Sequence, residues 1–111
     1  MHAEGLRIYG GTLTPSLGWP GFTLATEAER QKVNEWIRSS GAFDAFIDFD
    51  AAIRDPRNPS LLAPQYDSGD HLHPSDAGAA AMARAADRVL RRQRGFGGVA
   101  VAARPYRKAR R

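Results

Sequence analysis

A chain of 111 residues holds one domain at most, because a compact core takes roughly 100 to 150 residues. Its apolar share of 42% and charged share of 25% exclude a disordered polymer, and no run approaches the roughly 18 to 20 apolar residues that cross a bilayer. The absence of cysteine removes disulfide frameworks, thiolate metal sites and cysteine nucleophiles.

The N-terminus lacks the order of a signal peptide, so the chain as given reads as soluble; export of a longer parent, and the compartment, stay open. The net charge of +4 sums two unlike parts. Residues 91 to 111 carry eight basic groups (Arg91, Arg92, Arg94, Arg104, Arg107, Lys108, Arg110, Arg111) and no acid, leaving residues 1 to 90 with eight basic against twelve acidic groups, a net of −4. A basic terminus can bind nucleic acid or an acidic partner. Its Gly95-Phe96-Gly97-Gly98 run favours a solvated, disordered tail over residues 95 to 111 instead, with residues 1 to 94 as the folded part.

In chain order, Leu6 to Tyr9 is a short β-prone run ending in Gly10-Gly11, which predicts a buried strand emerging into a turn. Residues 12 to 25 mix two prolines and two glycines with aromatic and aliphatic groups, the composition of a long loop packed by its own side chains and able to wall a pocket. Thr26 and Glu29 have capping-box spacing and predict a helix start. Val33, Trp36 and Ile37 form its apolar stripe against Glu29, Lys32, Glu35 and Arg38, and Gly41 stops it. Ala45 to Phe49 is too short and aromatic for a helix and reads as a second strand. Strand, helix, strand within about 45 residues is a βαβ unit, which places the chain in the α/β class. Asp50 is expected to cap one helical turn through Ile53. Residues 55 to 69, with three prolines and a glycine, read as loop. Ser75 to about Gln93 is a final helix, with Ala81, Met82, Ala85, Val89 and Leu90 on one side and Arg84, Arg88 and Arg91 toward the other.

Chemistry concentrates in Asp67 to Gly78, where two histidines and three carboxylates sit on a turn feeding that helix. Pro74 biases His73 toward an extended conformation and suits a first helical turn, so His73 stands at an elbow. Asp70, three residues earlier, is near enough to accept the Nδ1 proton of His73 and leave Nε2 free, as a general base requires. On spacing alone the pair is weak evidence, and zinc is a rival: His71 and His73 with Asp67, Asp70 or Asp76 could supply imidazole and carboxylate ligands if the segment were extended. The turn imposed by Gly69 and Pro74 argues against that geometry.

The longer pattern is more specific. From Tyr9-Gly10-Gly11-Thr12-Leu13-Thr14-Pro15, through Val33 to Arg38, Phe43 to Asp50 and Asp55-Pro56, to Tyr66-Asp67-Ser68-Gly69-Asp70-His71-Leu72-His73-Pro74, the chain resembles the GDSL, or SGNH, esterase and lipase family over about residues 5 to 90. In that family Asp-x-x-His-Pro opens the terminal helix. The resemblance implies a partial flavodoxin-like three-layer α/β/α fold, needing no metal or organic cofactor. It also implies carboxylic ester hydrolysis by a serine nucleophile, with His73 as base and Asp70 as its orienting acid, acting on a small-molecule or lipid ester. The family's Gly-Asp-Ser block, and the glycine and asparagine blocks that help build its oxyanion hole, have no match here. The serines are Ser16, Ser39, Ser40, Ser60, Ser68 and Ser75, and none stands in a Gly-Asp-Ser context. The chain is therefore expected to be a C-terminal part of such a hydrolase, inactive alone, whose N-terminal half lies elsewhere. The alternative is a non-enzymatic module using its basic tail.

Overall fold

The computed structural model describes residues 5 to 93, so the tail expected over residues 95 to 111 lies outside the described residues. Strand β1 (Tyr9–Gly11), helix α1 (Leu24–Ser39) and strand β2 (Ala45–Ile47) form the expected βαβ unit. The two strands pair in parallel, with Tyr9 opposite Ala45 and Gly11 opposite Ile47. Bonds from Asp44 N to Ile8 O (2.8 Å) and Thr12 N to Ile47 O (3.1 Å) extend the ladder at each end. The first strand thus lies later than the apolar run Leu6 to Tyr9 suggests, and Leu6 is 54% exposed. The reason is aromatic. A Cβ on Gly10 would sit 2.6 Å from Phe43 Cδ2 and one on Gly11 would sit 2.9 Å from Phe49 Cε2, so these glycines are strand positions where phenylalanine rings take the space of a side chain, not a turn.

Helix α1 starts one turn before the expected cap. Thr23 is the N-cap, its hydroxyl accepting from Thr26 N at 3.1 Å, while Thr26 lies inside the helix. Gly41, at φ +75°, follows the last turn as expected. Of the expected apolar stripe only Ile37 is buried, together with Glu27, Arg30 and Asn34, whereas Val33 and Trp36 are 40% and 54% exposed.

Polar groups go inside because the chain around them is built to receive them. Asn34, fully buried, accepts from Leu13 N at 2.7 Å and donates to Leu13 O at 2.9 Å. Arg30 uses all five of its N–H donors: two to Glu27, one to Asp50, one to Leu13 O and one to Pro59 O. Asp50 also accepts from Arg38 and Arg54 at 2.8 and 2.9 Å, and Arg38 forks onto Asp48. Three arginines face three carboxylates, so the network balances in charge, with Arg38, Asp48 and Arg54 at its partly exposed edge.

Helix α2 (Phe49–Ile53) is capped by Asp48, whose side chain accepts from Ala51 N. Asp50, expected as that cap, is instead in the first turn and points into the network. Residues 54 to 66 are not a featureless loop. Strands β3 (Arg54–Asp55) and β4 (Asn58–Leu62) pair antiparallel, and a 3₁₀ turn (Pro64–Tyr66) follows. Pro59 is tolerated in β4 because the ladder there is short, and its carbonyl serves Arg30. Helix α3 (Asp76–Gln93) buries Gly78, Ala81 and Ala85. Ile53, Leu62 and Ala81 form the apolar core, with Ala52, Tyr66 and Met82 packed on it; Leu90, placed on that side by the sequence pattern, is 42% exposed. No described helix is long and apolar enough to cross a membrane.

Replacing Arg30 by alanine removes two donors from Glu27 and one each from Asp50, Leu13 O and Pro59 O, leaving two buried carboxylates short of positive charge although Gln31 still serves Glu27 and Arg38 and Arg54 still serve Asp50. The expected cost is about 3 to 5 kcal/mol, read as a lowered urea midpoint, while Lys32→Ala, which loses only an exposed 3.9 Å pair with Glu29, leaves the midpoint in place. Burial pushes the carboxyls of Glu27 and Asp48 up, but hydrogen bonds outweigh it: from Arg30 and Gln31 to Glu27, and from Arg38, Ala51 N–H and Thr12 to Asp48. Both groups end below their usual range. A depressed carboxyl stabilises the fold above its unfolded pKa and loses that contribution as pH falls through the folded value. Urea midpoints are therefore expected to hold between pH 7 and 5 and to drop below about pH 4.

Candidate functional site

The turn between the 3₁₀ segment and α3 is pinned at its neck. Ser75 N donates to Tyr66 O at 2.8 Å and Ser68 N to His73 O at 3.1 Å, and Asp67 bridges Pro74. Helix α3 comes in close against this neck: a Cβ on Gly78 would lie 2.6 Å from Tyr66 O and 2.9 Å from Pro74 Cβ. Ser75 closes the helix start, its hydroxyl accepting from Gly78 N at 3.1 Å.

Inside the turn, two aspartates each hold a histidine by both backbone and ring. Asp70 Oδ1 accepts from the backbone N–H groups of Leu72 and His73, both at 2.8 Å, and from the Ser68 hydroxyl at 3.0 Å. Its Oδ2 lies 2.6 Å from His73 Nδ1. Asp67 Oδ1 accepts from Gly69 N at 2.8 Å and His71 N at 3.0 Å, and its Oδ2 lies 2.8 Å from His71 Nδ1. Gly69 at φ +117° and His71 at φ +68° make the reversals that bring both carboxylates to their partners.

The structure thus brings together the two residues singled out from the sequence. The hydrogen bond with the His73 ring, then the backbone N–H groups of His73 and Leu72, hold the Asp70 carboxyl well below the usual carboxylate range. Asp70 is therefore an ionised, acceptor-only group. It follows that Nδ1 of His73 carries a proton and Nε2 of the neutral ring has a free lone pair. The His73 side chain is 67% exposed, so that nitrogen is open to an incoming group. Trp19 stands edge-on to the His73 ring, 6.1 Å between centroids at 88°; the loop of residues 12 to 22 walls the site as its composition suggests.

Other sequence candidates are placed differently. Ser68 donates to Asp70, on the carboxylate side of the pair and not at His73 Nε2. His71 and His73 each commit Nδ1 to a different aspartate, and no group of three or more His, Asp or Glu side chains stands ready for a metal among the described residues. Sequence reasoning missed the Asp67–His71 bond, although its four-residue spacing is a local signal, and it missed Trp19, for which no local signal exists. Grooves of about 450 and 360 Å³, the first lined by Ala45, Phe46, Ala85 and Arg88 and the second by Leu13, Phe22 and Val33, lie apart from Asp70 and His73.

Asp70→Asn keeps an oxygen for the backbone donors but removes the ionised partner of Nδ1. Nitrogen-15 spectra of the His73 side chain are expected to shift from one tautomer, protonated at Nδ1, to a mixture; an unchanged spectrum would show that another group sets the ring.

No curated protein matches the chain. A family model described as GDSL-like Lipase/Acylhydrolase matches residues 5 to 86, well over half of the sequence and including both Asp70 and His73. Together with the parallel βαβ unit and the α/β architecture around it, this match places the chain in the GDSL-like lipase/acylhydrolase family.

Proposed function

We propose that this chain supplies the acid–base half of a serine-dependent carboxylic ester hydrolase. The observation that carries the reading is the 2.6 Å contact between Asp70 Oδ2 and His73 Nδ1 on an exposed ring. A serine hydroxyl brought to Nε2 loses its proton to His73 as its oxygen bonds to the ester carbonyl carbon. Asp70 stabilises the imidazolium that results. His73 then gives the proton to the departing alcohol, leaving an acyl-serine. Water repeats the sequence: His73 takes its proton as it attacks, and returns a proton to serine as the carboxylic acid leaves.

The serine belongs to a block that these 111 residues do not contain, since no Gly-Asp-Ser occurs among them. In our reading the chain is the C-terminal part of a divided or longer hydrolase, and it is inactive alone because a base without its nucleophile has nothing to activate. Purified chain is expected to hydrolyse p-nitrophenyl acetate no faster than buffer. Adding a polypeptide with the family's Gly-Asp-Ser, glycine and asparagine blocks is expected to produce turnover that His73→Ala lowers by about 10³-fold or more. Turnover by the chain alone that His73→Ala abolishes would overturn the inactivity, and reconstituted turnover indifferent to His73→Ala would overturn its role.

A further inference from the structure

Asp67 and His71 form a second aspartate–imidazole pair that the hydrolytic scheme leaves unused. His71 is the only non-glycine residue at positive φ among those described, at +68°, a backbone conformation that side chains rarely adopt. Asp67 holds it there through the backbone N–H and Nδ1. The ring so presented does not stand free. It meets the backbone of Gly18, where a Cβ would lie 3.0 Å from His71 Cγ and 3.1 Å from Cδ2, and Gly18 is itself at φ +104°. The next residue is Trp19, whose indole meets His73. Two consecutive loop residues thus meet two histidines that stand two positions apart.

We propose that His71 is a positioning residue: clamped by Asp67, it seats Gly18 and so holds Trp19 against the exposed ring of His73. The loop's other ties support this assignment. Leu17 N bonds to Ser60 O at 3.2 Å, on the side of β4, and Trp19 N to Ser16 O and Phe22 N to Trp19 O close only the loop's own turns. None of these bonds reaches the turn of residues 67 to 74, so the loop meets that turn through the His71–Gly18 and Trp19–His73 contacts, and of the two only the first is made by a clamped ring against backbone. The groups facing the two rings are Asp70 and Trp19 at His73, and Asp67 and Gly18 at His71. Any catalytic consequence, a wall of set position beside the His73 ring, rests on reading His73 as the base; the clamp itself does not.

The test therefore uses neither ester nor nucleophile. Trp36→Phe leaves Trp19 as the single tryptophan and keeps an aromatic partner for Phe43. In this background nuclear Overhauser cross-peaks between the Trp19 indole protons and the His73 ring protons are expected. Adding His71→Gly, which suits the positive φ, is expected to weaken those cross-peaks at least twofold while the nitrogen-15 tautomer pattern of His73 stays intact. Cross-peaks unchanged by His71→Gly would overturn the proposal. Loss of the tautomer pattern in His71→Gly would overturn it too, because His71 would then be holding its own turn and not the loop. Failure of the ester experiment leaves all these outcomes unaffected.

Discussion

Arg30 is the interaction on which the rest of the molecule hangs. A guanidinium 4% exposed is tolerated only when all of its donors are used, and here they reach the first turn of its own helix, the loop after β1, the first turn of α2 and the backbone of β4. The described sheets are two-stranded and the apolar core is small, so packing alone does little to fix how these pieces meet. A charged hub with fixed donor directions does it instead. Buried ion pairs are weak sources of net stability but strong sources of specificity when every partner is present, and the balance of three arginines against three carboxylates leaves no charge over.

The candidate site is built on a different principle. Its hydrogen bonds are almost all within ten residues, from Tyr66 to Ser75, and they use short side-chain-to-backbone links that a turn can form without help from the core. Two consequences follow from that locality. The Asp70–His73 geometry does not depend on the charged hub, and the turn is joined to the rest of the fold at few points: its neck on Tyr66, the seat of α3, and the loop carrying Gly18 and Trp19.

That contrast explains what could be read from the sequence. The Asp70–His73 pair was legible because both partners lie in one turn and Pro74 marks the helix that follows. The βαβ order was legible because α1 has helical composition and β2 has strand composition in isolation. The inward face of α1 was not, because periodicity assigns the interior to Val33 and Trp36, while the receivers of Arg30 and Asn34 (Leu13, Asp50, Pro59) are 17 to 29 residues away. Gly10 and Gly11 look like a turn until Phe43 and Phe49, more than 30 residues later, are laid over them. The β3–β4 hairpin hid behind its prolines. The Thr23 cap was missed for a subtler reason: Thr26 offers an equally good pattern one turn on, and only the hydrogen bond between them decides which threonine is outside the helix.

Gly78 carries one more implication. At this position the last helix touches the carbonyl of Tyr66 with bare backbone, and any side chain, even a methyl, would need the better part of an ångström that is not there. The gap cannot be opened by rotating a side chain, since Tyr66 O already accepts from Ser75 N and its neighbours form the neck of the histidine turn. A bulkier residue at 78 would have to part the helix from Tyr66 and Pro74, the two residues that close the histidine turn. The missing carbon atom is thus what lets the last helix seat directly on the base of that turn.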